Sequence, residues 1–185
     1  MLPVLAEIQR GRGSRFVTLV HRTGASRKVM TDTLAALVRL GLVMRNPGYG
    51  HPLRPEFLLT TRAMQSGPAL LDLYDLLTVH ALRDTALKKW SLPVLLKASQ
   101  ESGGARFSTI RSELPTITDR ALTLALKDLQ SAGLLARLVL DSYPPTPLYQ
   151  PTASARPVVA ALEQLLGEFP CPPAGAERGR RAVGG

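Results

Sequence analysis

The chain has 185 residues, 45% of them hydrophobic and 20% charged, which is apolar enough to bury a core and rules out a disordered chain or a large multi-domain machine. Twenty-three Lys and Arg against fourteen Asp and Glu leave a formal net charge of +9, a balance that favours a polyanionic partner such as nucleic acid. The single cysteine, Cys171, excludes an intramolecular disulfide framework or a multi-cysteine zinc site and agrees with a reducing cytosol.

In chain order, Pro3 to Gln9 reads as a short helix. Arg15 to Arg22 reads as a second, with Phe16, Leu19 and Val20 on one face. Thr23-Gly24-Ala25 is a tight turn, and Ser26 caps a third helix that runs to about Leu40 and buries Met30, Leu34, Leu37 and Val38. Gly41 ends that helix, because glycine takes the left-handed conformation of a helix terminus without a Cβ clash. Leu42-Val43-Met44 starts a strand, the Pro- and Gly-rich stretch from Asn46 to Pro55 is a loop, and Phe57 to Thr60 is the returning strand. Helix, turn, helix and a two-stranded wing is the winged-helix order.

The helix from Pro68 to His80 follows, with Leu70, Leu73, Tyr74 and Leu77 on one stripe and Leu71, Leu76 and Val79 beside it. That apolar face is wide for one small domain, so its partner is a single intramolecular core, the other half of the chain or a second chain. The apolar run from Gly67 to Leu82 contains Asp72, Asp75 and His80 and is too broken to span a membrane. The start of the chain lacks the basic and apolar regions of a secretory signal. A soluble, cytoplasmic and nucleoid-associated protein is expected.

The second half repeats the first. Arg15-Phe16-Val-Thr18 faces Arg106-Phe107-Ser-Thr109, and after one inserted residue Thr31, Leu34, Leu37, Gly41, Leu42, Arg45, Pro52, Pro55, Thr60 and Ala63 face identical residues 92 positions on. Leu-rich helices align by composition, but composition does not explain the matched Gly, Arg, Pro and Thr positions. The second half therefore reads as a helix from Ala86 to Ser99, a helix from Arg106 to Glu113, and a turn and cap over Pro115 to Thr118. A third helix from Asp119 to Ala132 buries Leu122, Leu126 and Leu129, and Gly133 closes it. Strands at Leu134 to Leu140 and around Tyr149 flank a loop from Asp141 to Pro147, and a last helix covers Pro157 to Leu166. The expected class is mainly α with small β wings (α+β): two tandem winged helix-turn-helix domains at 1–83 and 84–167, with a disordered tail at 168–185.

Several runs in the second half resemble the HxlR family of bacterial winged-helix transcription regulators. Lys89-Trp90-Ser-Leu-Pro93-Val-Leu-Leu96 is similar to the family's Lys-Trp-x-x-Pro-[IL]-[IL], and Arg106-Phe107-Ser-Thr-Ile110 to its Arg-Phe-x-x-Leu. Leu114 to Thr123 follows its helix-turn-helix core, and Pro144-Pro145-Thr-Pro-Leu-Tyr149-Gln-Pro-Thr152 its wing pattern. The resemblance covers Ala86 to about Leu166 and is looser in the first half. It implies a DNA-binding regulator whose copies pair through terminal helices, so a tandem chain is either a homodimer or a pseudo-dimer within one chain. Redox-sensing members carry a cysteine near the N-terminus, which this chain lacks.

In such a fold the third helix enters the major groove and presents its first turns to base edges. The candidate DNA contacts of the first half are Arg15, Ser26, Arg27, Lys28, Thr31 and Thr33, with His51 and Arg54 in the wing; those of the second are Thr118, Arg120, Thr123 and Lys127. Arg27 suits bidentate pairing with guanine O6 and N7, and Lys28 suits a phosphate. Asp119, Leu124 and Ala125 occupy positions where cations would help, so the second helix is the weaker reader. Between Gly11 and Arg62 nine cations face only Asp32 and Glu56, although a solvated Arg-rich surface has the same composition. His21, His51 and His80 are scattered without metal-ligand spacing, and no phosphate loop or nucleophile motif is present. No metal, cofactor or enzymatic activity is expected.

The leading reading is a sequence-specific double-stranded DNA-binding transcriptional repressor. The alternatives are a tandem winged-helix architectural or scaffold protein of chromosome maintenance and a replication initiator.

Overall fold

The computed structural model describes residues 1–47, 55–140, 143 and 145–168. The first half opens with α1 (Leu2–Gly11), β1 (Ser14–Arg15), α2 (Phe16–Thr23) and α3 (Arg27–Arg39), followed by β2 (Val43–Asn46) and β3 (Glu56–Leu59). Two further helices, α4 (Thr61–Gln65) and α5 (Gly67–Val79), lead to the second half. That half contains α6 (Arg83–Ala86), α7 (Ser91–Ser99), β4 (Ala105–Arg106), α8 (Phe107–Glu113), α9 (Asp119–Ser131), β5 (Leu135–Leu140) and β6 (Thr146–Pro151). After a 3-10 turn at Ala153–Ala155 the described chain ends in α10 (Arg156–Glu168).

The local signals act as their chemistry requires. Ser26 precedes α3 with extended backbone, and its hydroxyl accepts the Val29 N–H at 3.3 Å; Thr118 does the same for Ala121 at 3.2 Å. Each cap satisfies one of the N–H donors that a helix start leaves unpaired, a contribution of about 1 kcal/mol. Gly41 and Gly133 follow α3 and α9 at φ 68° and 70°, where a side chain would be strained.

Both sheets have three strands rather than two. Their orders are β1-β3-β2 and β4-β6-β5, all antiparallel, so each wing hairpin gains a two-residue strand from the segment before the second helix. The registers match, with Arg45 opposite Phe57 in one sheet and Arg137 opposite Tyr149 in the other. This third strand has too few residues to show a period in sequence.

Matched threonines make matched contacts in the two halves. The Thr60 hydroxyl donates to the Gly41 carbonyl at 2.8 Å, and the Thr152 hydroxyl donates to that of Gly133 at 2.6 Å. Each threonine thus ties the end of the returning strand to the end of the helix, satisfying a terminal carbonyl that has no partner within the helix. The Thr60 N–H also donates to Leu42 O and the Thr152 N–H to Leu134 O, both at 3.1 Å.

Two cores form, and α5 is shared between them. Leu70 and Tyr74 pack with Ile8, Leu19, Met30, Leu34 and Leu37 in the first half. Leu73 and Leu77, on the adjacent stripe, pack with Val94, Leu95, Ile110, Leu122 and Leu129 in the second. The wide apolar face of α5 is therefore covered within the chain, by α1 on one side and α10 on the other, except at Val79, which is 80% exposed. Leu2 and Leu165 reach both clusters. Around this seam Arg10 pairs with Glu7 and Asp75 and stacks over Tyr74, whose ring also lies 5.1 Å from the Arg83 guanidinium. Slight burial opposes the charge of Arg10, but the two carboxylates outweigh it and hold its pKa above the ordinary value.

Three expectations are corrected. The helix expected over Ala86 to Ser99 is broken between Ala86 and Ser91, because Pro93 cannot donate to the carbonyl four residues back and is tolerated only in a first turn. Val38 is 43% exposed: Met30, Leu34 and Leu37 already fill the buried stripe of α3, and Val38 turns off its edge. Ala125, expected on the exposed face, is buried because it lies one turn from Leu122 and Leu129 on the core side of α9. The first-wing stretch at 48–54 and the tail from 169 onward, with Cys171, lie outside the described residues.

Candidate nucleic-acid interface

The start of α3 is an open cationic surface. Ser26, Arg27, Lys28 and Val29 are all exposed, and neither the Arg27 nor the Lys28 side chain has an ion pair or hydrogen bond among the described residues. Ser26 is committed to its cap, which leaves its hydroxyl hydrogen free to donate outward. Thr31 is exposed, but its hydroxyl donates to the Arg27 carbonyl at 2.9 Å; Thr33 is half-buried. The helix N-terminus adds partial positive charge at the same place.

Arg15 lies in β1 opposite Glu56, with its Nε 3.4 Å from the carboxylate, so much of its charge is met within the sheet. At the equivalent point of the second sheet Arg106 faces Leu148 and keeps its guanidinium unpaired among the described residues. Arg106 was not among the expected contacts, because only the cross-strand register reveals which of the two arginines has an acidic neighbour. His51 and Arg54 lie outside the described residues.

On α9, Thr118 caps the helix and the Thr123 hydroxyl donates to the Asp119 carbonyl at 2.8 Å. Arg120 and Lys127 are exposed and have no ion pair or hydrogen bond among the described residues. Asp119 is bound by Arg111 at 2.8 Å, and the same guanidinium reaches the Leu114 and Pro115 carbonyls at 3.4 Å each. The Asp119 carboxylate, 76% exposed, is thereby partly offset by a cation of the preceding helix, and the turn between the two helices is braced. The signal for this was Arg111 itself, eight residues before Asp119 and across the turn.

The exposed surface beside α9 is more apolar. Leu138, Val139 and Leu140 of β5 are 44%, 54% and 43% exposed, and β5 is an edge strand. Arg137 is the one cation of that strand. Among the described residues no group of three His, Cys, Asp or Glu could hold a metal ion, and no helix is long and apolar enough to cross a membrane.

The HxlR-like helix-turn-helix family matches residues 86–169, from the end of α6 through α10. A protein of Methanothermobacter thermautotrophicus described as an uncharacterized HTH-type transcriptional regulator is 38% identical over 77 residues, covering 42% of this chain and 57% of its own length. The uncharacterized HTH-type transcriptional regulator YtcD of Bacillus subtilis is 27% identical over 89 residues, 48% of this chain and 69% of its own. Among solved structures, diamide-treated YodB of B. subtilis aligns with a TM-score of 0.41 at 22% identity, over 52% of this chain and 95% of that one. The chain thus spans little more than half the length of the first of these relatives, and its segment 86–169 matches the HxlR-like helix-turn-helix family.

Proposed function

We propose that this chain is a double-stranded DNA-binding transcriptional regulator, acting as a repressor, built from two winged helix-turn-helix domains at 1–83 and 84–167 that arose by duplication. The observation that carries the reading is the start of α3: a capped helix N-terminus that presents unpaired, exposed Arg27 and Lys28 beside a helix-turn-helix turn. Arg27 reads a base edge, and Lys28 and the wing residues His51 and Arg54 meet phosphates. Ser26, Thr31 and Thr33 hold or flank the reading turn, and Arg15, in β1, adds a cation partly met by Glu56. The α9 surface, with Thr118, Arg120, Thr123 and Lys127, is the weaker reader. The helix-turn-helix family match and the regulators among the relatives support this reading, and they give no support to an enzyme. The two halves act as an intramolecular pseudo-dimer or within a homodimer, in the cytoplasm at the nucleoid.

Fluorescence anisotropy on a duplex across a KCl series tests the proposal. Replacing both Arg27 and Lys28 by Ala is expected to reduce the log–log salt slope by about 1, for the lost Lys28 phosphate contact, and to lower affinity further through the lost Arg27 base contact. Arg120→Ala with Lys127→Ala is expected to change affinity less. Both pairs are exposed, so far-UV circular dichroism should stay unchanged, and an unaltered affinity and slope in the first pair would refute the assignment.

The exposed edge strand Leu138-Val139-Leu140 favours a second reading, in which the second domain docks a protein partner as an architectural or scaffold module does. A footprint across the genome separates the readings, since a few promoter sites fit a regulator, broad coverage a scaffold and one repeat-rich origin an initiator.

A further inference from the structure

A groove of about 640 Å³ lies along the flank of α3, beginning at Thr31 just past its first turn. Phe16, Leu34, Ala35, Val38 and Phe57 supply an apolar wall, and Arg39 and Arg45 line it as well. Both guanidiniums are exposed and have no ion pair or hydrogen bond among the described residues. Val38 is the apolar residue that leaves the buried stripe of α3 and opens onto this space. The volume lies within the range of small-molecule sites, which combine apolar walls with a few polar anchors.

The second half serves as an internal control. Helices α3 and α9 both have thirteen residues, and the sheet registers coincide, so positions 92 apart are structurally equivalent. Ala35, Val38 and Arg39 correspond there to Lys127, Gln130 and Ser131, while Leu34 and Arg45 correspond to Leu126 and Arg137, and Phe16, before the inserted residue, to Phe107 at an offset of 91. The framework of the groove is therefore shared, but its apolar opening and its second guanidinium belong to the first half alone.

We propose that this groove binds a small carboxylate with an aromatic or short aliphatic body. Phe16, Val38 and Phe57 pack against the body, and Arg39 and Arg45 take the carboxylate, for which a guanidinium offers matched paired donors. The proposal stands on the groove itself and does not require that α3 bind DNA.

Titration of the full chain with trans-cinnamate, followed by two-dimensional amide NMR, tests it. Saturable shifts are expected at Phe16, Ala35, Arg39 and Phe57. Cinnamamide, of the same shape without the charge, should bind about tenfold more weakly, since a charge-assisted bond is stronger than a neutral one by this order. Arg39→Ser combined with Arg45→Gln should abolish that preference. Ala35→Leu, a change at an exposed position that leaves the core intact, should weaken both ligands by filling the groove. The proposal is overturned if cinnamamide binds equally, or if the shifts lie elsewhere. It is also overturned if no saturable shift occurs up to about 10 mM, beyond the range that a ligand of this size reaches at ordinary efficiency. A duplex that shifts these same residues when cinnamate does not would mean that the groove is a nucleic-acid contact and would likewise overturn it.

Discussion

Leu73→Ala is the sharpest probe of how the two halves are joined. Leu73 is 1% exposed, lies in α5 next to Leu70 and Tyr74 of the first core, and packs into the second core with Leu77. Truncation removes three buried carbons, a transfer loss of about 2.4 kcal/mol at ~0.8 kcal/mol per methylene. The cavity left in the second core, where α5 packs on α10, adds to this, for a total of about 3–4 kcal/mol within the range of buried Leu→Ala changes. At roughly 2–4 °C per kcal/mol for a chain of this size, the Tm should fall by about 6–16 °C. Thermal unfolding is followed at once by far-UV circular dichroism, which sees helices in both halves, and by the fluorescence of Trp90, the single tryptophan, which packs on the second core. Because α5 supplies side chains to both cores, the two signals should move together in one transition. If the Trp90 transition drops while a separate helical transition stays at the wild-type temperature, the halves are independent and the shared-helix argument fails.

Other outcomes follow from particular contacts. Ser26→Ala should cost about 1 kcal/mol of stability in urea denaturation by removing the Val29 cap, and Ser26→Asp should restore it. Gly41→Ala and Gly133→Ala meet no neighbouring atom, so the loss, about 1 kcal/mol each, should come from backbone strain at positive φ alone; an asparagine at either place should be milder. Thr152→Val removes one of two hydroxyls that donate to the Gly133 carbonyl, the other being Ser154 at 3.0 Å, and should destabilise by about 0.5–1 kcal/mol in the same assay. Asp119→Ala releases Arg111 and should raise duplex affinity modestly, with a steeper salt dependence; unchanged binding would mean that α9 lies away from the phosphates.

The parts that sequence made legible are those whose cause is local. Ser26 and Thr118 are caps, and Gly41 and Gly133 are helix stops, for reasons that lie within four residues of each, and the structure places all four in those roles. The stripe Met30, Leu34, Leu37 follows from helical period alone. The candidate contacts at Ser26, Arg27 and Lys28 are legible for the same reason, since their exposure follows from lying opposite that stripe at the helix start. Tertiary structure decided what depends on distant partners. The width of the α5 face was visible, but not that Leu70 and Tyr74 would join one core and Leu73 and Leu77 the other, because two adjacent stripes on one helix look the same whatever covers them. The unequal electrostatics of Arg15 and Arg106 depend on cross-strand register, which places Glu56 opposite one and Leu148 opposite the other. The excess of +9 was a sum over the chain, whereas pairing across sheets and turns determines which of those cations remain free to meet a ligand.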